Sequence, residues 1–244
     1  AKIKSIDTSK AKLIPGVEAI FTYEDVPNTR FTLAGQTYPE PSAYDALILD
    51  PVVRYVGDEV ALVVAKDEAT ALKAMPLIKV EYEVQKPVLD LRTAMDHETV
   101  VHPEDDILNH IPVGQDYKRN ICVSYHKRVG DIEGELAKCD YVVEGTYFDQ
   151  ATRQSAMEPF QSFGYIDHLG RIVIVSSTQI VFHVRRHIAR ALGIPASKIR
   201  VIKPRIGGGF GSKQTACTEL MTAFVTWKLQ KPCYLLYDRT EAQT

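Results

Sequence analysis

The feature that most narrows the fold is the run Arg205-Ile206-Gly207-Gly208-Gly209-Phe210-Gly211-Ser212-Lys213-Gln214. Four glycines in five positions suit neither a helix nor a strand interior, because glycine loses more backbone freedom on ordering than any other residue. Their use is in a turn, where the missing Cβ permits positive φ and lets the backbone approach another group closely. A strand-like stretch, Lys198 to Ile202, enters the run, and a helical pattern from about Gln214 to Lys228 leaves it. Strand, glycine turn and helix in that order bring successive N–H groups to one point, a nest for an anionic oxygen group such as a phosphate or an oxo group on a metal. A tight turn with no ligand is the alternative that the glycines by themselves leave open.

Two familiar phosphate loops do not fit. The nucleotide-triphosphate loop ends Gly-Lys-Ser/Thr, whereas Gly211-Ser212-Lys213 has the order reversed. The dinucleotide pattern GxGxxG, started at Gly207, needs a sixth-position glycine and meets Ser212. It also belongs after the first strand of its unit, with an acidic residue about 20 positions on.

The rest of the chain divides by pattern. Residues 1–94 read as a small α/β unit. Its strands are Val17 to Phe21, Glu59 to Ala65 and the alternating Ile78-Lys79-Val80-Glu81-Tyr82-Glu83; its helix is Asp67 to Met75 with Asp67 as N-cap. Residues 95–127 are less periodic and read as a linker or extended arm. From 128 on, a short helix (Ile132 to Cys139) and a strand (Tyr141 to Phe148) are predicted, then a hairpin of Gln161 to Asp167 and Arg171 to Ser176. A helix over Val181 to Leu192 follows, with Val184, Ile188 and Leu192 on one stripe and Gly193 at its C-terminal cap. A strand from Cys233 to Tyr237 comes last. The opening Ala1-Lys2-Ile3 lacks an initiating Met, and Asp238-Arg239-Thr240-Glu241 falls where another element should begin; a fragment or split subunit is the expectation.

Composition limits the partners. With 45% apolar and 25% charged residues the chain has the make-up of a globular protein, and a net charge of −2 gives no electrostatic case for nucleic acid or an anionic membrane. Apolar runs such as Val60 to Ala65 fall far short of the roughly 18 residues of a membrane span. Cys122, Cys139, Cys217 and Cys233 match no zinc or iron–sulfur spacing, so reduced structural thiols in a cytoplasmic protein are expected. His183 and His187 stand at the i, i+4 spacing of metal ligands, but no third ligand is evident and solvent-facing histidines are the expectation.

Several ordered motifs surround the glycine run. Ser177-Thr178-Gln179 follows the hairpin, Ala191-Leu192-Gly193-Ile194-Pro195 ends the helix, Ile199 to Ile202 is a short strand, and Gly207 to Lys213 completes the set, with Phe210 31 positions after Gln179. Met157-Glu158-Pro159 lies upstream. In the first unit stand Leu13-Ile14-Pro15-Gly16-Val17, Asp25-Val26-Pro27, Val56-Gly57-Asp58-Glu59-Val60-Ala61 and Val80-Glu81-Tyr82-Glu83. Together these resemble the molybdenum hydroxylase family, the xanthine dehydrogenase and aldehyde oxidoreductase group, over nearly the whole chain. The resemblance implies an α+β fold: an α/β-hammerhead domain over 1–94, a linker over 95–127, and over 128–244 the first portion of a molybdopterin-binding domain.

The resemblance also implies roles. Gln179 corresponds to the glutamine that hydrogen-bonds an oxo ligand of molybdenum, and Gly208, Gly209, Phe210 and Gly211 to the loop that lies against the cofactor. Gln179 and Phe210 would thus stand beside the metal's own ligands without binding the metal directly. Gln214 corresponds to a substrate position held by glutamate in purine-oxidising relatives; a neutral amide cannot act as a carboxylate. Gln154 stands where a histidine is common, and Ser212 where glycine is usual. The family's general-base glutamate lies near the far end of the full subunit, so no catalytic residue is assignable here, and Glu158 is read as structural. The implied cofactor is molybdopterin cytosine dinucleotide with molybdenum. Iron–sulfur clusters and FAD would reside on other subunits or domains, and the partners would be the remainder of the molybdenum subunit, an iron–sulfur subunit and a FAD subunit.

Overall fold

The computed structural model describes residues 1–33 and 37–244. The first unit pairs β1 (Lys2–Asp7) with β4 (Lys79–Glu83), and β2 (Val17–Phe21) with β3 (Leu62–Ala65), both antiparallel. Two helices lie between them, the short α1 (Ser9–Lys12) and α2 (Glu68–Ala74). Asp67 caps α2 as its side chain predicts, accepting from Thr70 N–H at 2.8 Å.

After α3 (Leu91–Ala94) the chain runs as an arm that is pinned to the loop between β2 and β3. Tyr44 N–H donates to Leu108 O at 2.9 Å, and Arg30 pairs with Asp106 at 2.8 Å. Arg54 donates to Val101 O and pairs with Glu104. Asn120 holds the arm to itself, donating to Ala94 O at 3.0 Å and Thr99 O at 2.9 Å.

The short helix α4 (Ile132–Leu136) starts where Asp131 accepts from Gly134 N–H at 3.1 Å. The strand expected over Tyr141 to Phe148 does not form. Tyr141, Val143, Tyr147 and Phe148 are each nine-tenths exposed or more, and no described residue pairs with the run. Alternation makes a run capable of β-structure, but a strand exists only through hydrogen bonds to a neighbour.

The second unit carries a four-stranded sheet in the order β7-β6-β5-β8. β5 (Gln161–Ile166) and β6 (Ile172–Ser176) form the expected hairpin, whose turn is held by Asp167 accepting from Leu169 and Arg171 N–H, both at 2.9 Å. α5 (Val181–Leu192) then crosses over to β7 (Ile199–Ile202), which lies parallel to β6. Gly193 ends α5 in the left-handed region at φ 65°. α6 (Thr218–Leu229) starts four residues later than predicted, because Ser212 to Gln214 form a separate 3₁₀ turn. Nine consecutive residues of α6, Thr218 to Thr226, are buried, as it packs beneath β5 and β6. β8 (Cys233–Leu236) closes the sheet edge against β5.

One core joins both units. Phe21, Phe31, Ile48 and Leu49 from the first half pack in the same cluster as Ile174, Val184, Ile188 and Phe224 from the second. Phe21 meets Phe224 edge-on, ring centroids 5.1 Å apart. Glu59 accepts from Tyr237 Oη at 2.6 Å across the same junction.

Candidate functional site

The glycine run leaves β7 on the side where β6 also ends, so Thr178-Gln179 and Gly207 to Lys213 come together. Gly208, Phe210 and Gly211 all have positive φ, at 103°, 51° and 90°. Phe210 is the non-glycine residue among them and its ring is mostly exposed. A side chain held in that region costs on the order of 1 kcal/mol, so the loop is committed to this shape by its surroundings. The N–H groups of Gly208, Gly209, Phe210 and Gly211 donate to no other described residue. Four unspent amides in a row on a turn that mixes left- and right-handed backbone are the donor set of an anion nest.

Gln179 lies against this loop. Its main-chain N–H donates to Lys213 O at 2.9 Å, which brings the two segments side by side. A Cβ built on Gly209 would sit 2.5 Å from Gln179 Oε1, so only glycine leaves room for the carboxamide there. That oxygen is buried and has no hydrogen-bond partner among the described residues.

Beneath the loop lies a polar network that the sequence reading did not assemble. Glu158 Oε2 accepts from Gly207 N–H at 2.6 Å, from Ser177 Oγ at 2.7 Å and from Lys213 Nζ at 2.9 Å. Its other oxygen accepts from Gln161 Nε2 at 2.7 Å. Lys213, almost wholly buried, also donates to Ser177 Oγ at 2.6 Å. Burial pushes the Glu158 carboxyl upward, and the donors Ser177, Gly207, Lys213 and Gln161 outweigh it, holding the group down at about 2. Both oxygens are engaged by donors. The carboxylate is therefore an anchor and a poor proton acceptor, in keeping with its structural reading.

The family model of the molybdopterin cofactor-binding domain matches residues 113–244, more than half of the chain. The chain belongs to this family. A second model, the a/b hammerhead domain of aldehyde oxidase and xanthine dehydrogenase, matches residues 1–86. The chain is similar to a probable hypoxanthine oxidase of Escherichia coli, 37% identical over 265 residues, covering 99% of this chain and 28% of that protein. It is similar to the nicotinate dehydrogenase large molybdopterin subunit of Eubacterium barkeri, 30% identical, covering 100% of this chain and 53% of that one. Among solved structures, quinoline 2-oxidoreductase from Pseudomonas putida 86 superposes with a TM-score of 0.81 at 27% identity, over 99% of this chain and 30% of that one. The chain thus spans from about a quarter to about half of the length of these relatives.

The residues of this molybdopterin-binding domain fit such a cofactor. An oxygen-rich, anionic group needs donors, and the loop presents four amides that donate to no described residue. Gln179 is half-buried and ends in a carboxamide, whose Oε1 is buried against the loop and whose oxygen and nitrogen exchange by a half-turn, so it can present N–H to an acceptor. Gln214 follows the loop within the 3₁₀ turn, half-buried, its N–H donating to Gly211 O at 3.1 Å. A cleft of about 800 Å³ between the two units runs past Gly211, Ser212 and Lys213, while Gln179 and Phe210 are outside its walls.

Other sequence expectations need correction. His187 does not face solvent: it is 3% exposed on the inner side of α5, and His183 is half-buried. The stripe of Val184, Ile188 and Leu192 is wide enough to carry His187 inward with it. Among the described residues no group of three or more His, Cys, Asp or Glu is placed to hold a metal ion. All four cysteines are free, with Cys122 and Cys139 exposed and Cys217 and Cys233 partly buried. Only the latter two pack as structural thiols do, and burial pushes them up to about 12 and about 11. Among the described residues no helix is long and apolar enough to cross a membrane. Lys213 and Ser177 were not singled out from the sequence; a lysine is rarely buried, and only its place at the end of the glycine run hinted at a partner.

Proposed function

We propose that this chain forms part of the molybdopterin-binding subunit of an oxidoreductase that oxidises an aldehyde or an N-heterocycle, with water as the source of oxygen. The observation that carries this reading is the meeting of four unspent amides, Gly208 to Gly211, with the half-buried Gln179, whose Oε1 is buried against the loop. When bound, the molybdenum cofactor accepts two electrons from a substrate C–H bond. The chain's own residues would bind and orient it: the amides of Gly208, Gly209, Phe210 and Gly211 are the donors that would hold its oxygen atoms, and Gln179 and Phe210 would flank the metal's side of the site. Donors fixed before binding tune such a centre without reorganising. Gln214 is the residue proposed to face substrate. Its neutral amide favours a substrate recognised by hydrogen bonds over one that needs a carboxylate.

The finer assignments follow from the same resemblance. The cofactor form proposed is molybdopterin cytosine dinucleotide. Iron–sulfur clusters and FAD are assigned to partner subunits or domains, the general base to a glutamate outside this chain, and the assembly to the cytoplasm. The proposed units are a hammerhead domain over 1–94, a linker over 95–127 and a partial cofactor-binding domain over 128–244.

The test is to co-express the chain with the products of neighbouring genes, purify the assembly, and measure molybdenum and released pterin dinucleotide. Near-stoichiometric molybdenum is expected, with affinity falling about 10- to 100-fold on Gln179→Ala. A folded assembly that holds a simple nucleotide and no pterin would replace this reading with a phosphate-binding module. One that holds neither would leave a scaffold.

A further inference from the structure

Glu158 is left without a part in the reading above beyond packing, yet its position is unusual. One oxygen, Oε2, meets three donors on two segments: Gly207 N–H at the start of the glycine loop, Lys213 Nζ at its end, and Ser177 Oγ two residues before Gln179. We propose that Glu158 is a positioning residue for the cofactor site, setting the separation between the amides of Gly208 to Gly211 and the carboxamide of Gln179. The inference rests on the proposed cofactor role of those residues.

The bracing runs in both directions. Gly207 N–H donates to the Glu158 carboxylate, and Glu158 N–H donates back to Gly207 O at 3.2 Å. A Cβ on Gly207 would stand 2.6 Å from Glu158 Cβ, so the first glycine of the run is required for this clamp rather than for a turn. At the other end Lys213 holds Glu158 through its ammonium and Gln179 through its carbonyl, at 2.9 Å each. The loop is therefore fixed at both ends to the same residue, and through Lys213 and Ser177 that residue is fixed to the segment bearing Gln179. With its ends held, the loop keeps its shape, and its amides stay free of described partners, without a bound group to order it. Such pre-organisation lowers the ordering cost of binding.

Removing Glu158 alone would leave the buried Lys213 charge unpaired, which by itself can unfold a site. The variant to use is the double Glu158→Gln, Lys213→Met, which removes both charges together. It is compared with the unaltered chain in the purified multisubunit assembly by three measurements: melting temperature, amide hydrogen exchange peptide by peptide, and molybdenum content. The expected result is a near-unchanged melting temperature and unchanged exchange in β6 and α6. Exchange across 205–214 is expected to be about tenfold faster. Molybdenum affinity is expected to be lower by about tenfold or more. Unchanged exchange in 205–214 would overturn the proposal. So would a general loss of protection with lowered melting, which marks an ordinary structural ion pair. If the unaltered assembly carries no molybdenum, the cofactor reading fails, and the exchange of 205–214 still decides whether Glu158 sets the loop.

Discussion

Gly209 does not stand in the left-handed region, so backbone conformation is not what requires glycine there. Space is: Gln179 Oε1 and Cδ would lie 2.5 and 2.6 Å from an added Cβ. Those atoms are the far end of a flexible side chain and can swing aside, so Gly209→Ala is expected to fold. Its unfolded chain has less freedom, a gain of up to about 1 kcal/mol that offsets part of the crowding. The carboxamide is then expected to leave the loop and molybdenum retention to fall, while thermal melting stays within a few degrees. Retention equal to that of the unaltered chain would remove Gln179 from the site. At this scale the pattern of glycines and the place of Gln179 were legible from the sequence. The Glu158–Lys213–Ser177 cluster was not, because its members come from three segments and only the fold brings their side chains within hydrogen-bond distance.

Among the elements, α5 best shows how periodicity can be right and still incomplete. Its bounds and apolar stripe appeared as expected, with Val184 and Ile188 fully buried and Gly193 at its end. What the stripe did not disclose is that His187 is drawn in beside it, both ring nitrogens buried and without a hydrogen-bond partner among the described residues. Burial lowers its pKa to about 4; Glu40 opposes the shift, and His183 and Arg186 add to it. The imidazole is thus neutral in the folded chain at pH values where an unfolded chain, titrating at its ordinary 6.5, already carries the proton. The unfolded state binds more protons over this interval, so stability falls as pH drops from about 6.5 to about 4 and this term changes no further below. The full loss is on the order of 3 kcal/mol. His187→Leu is expected to flatten the melting-temperature profile over that interval, as followed by circular dichroism. A profile with the same slope would place the titration elsewhere.

For the whole molecule, the decisive fact is the shared core. Phe224 is 1% exposed on α6 and touches Phe21 of β2 across the junction of the two units. Phe224→Ala is expected to cost about 3–5 kcal/mol and to lower the unfolding of both units as one transition in urea. A first unit that kept its own midpoint would show that the junction is not cooperative. Local signals lie within short stretches of chain, and those the sequence determined by itself: the caps at Asp67 and Gly193, the hairpin of β5 and β6, the stripe of α5, the glycine run and the motifs that mark the family. Only the tertiary structure decided the rest. It merged the two units through Phe21 and Phe224, drew His187 inside, and left Tyr141 to Phe148 without a strand partner. It also placed Glu158 under both ends of the loop. The reason is the same in each case: burial and pairing depend on which distant segment arrives alongside, and periodicity carries no information about distance across the fold.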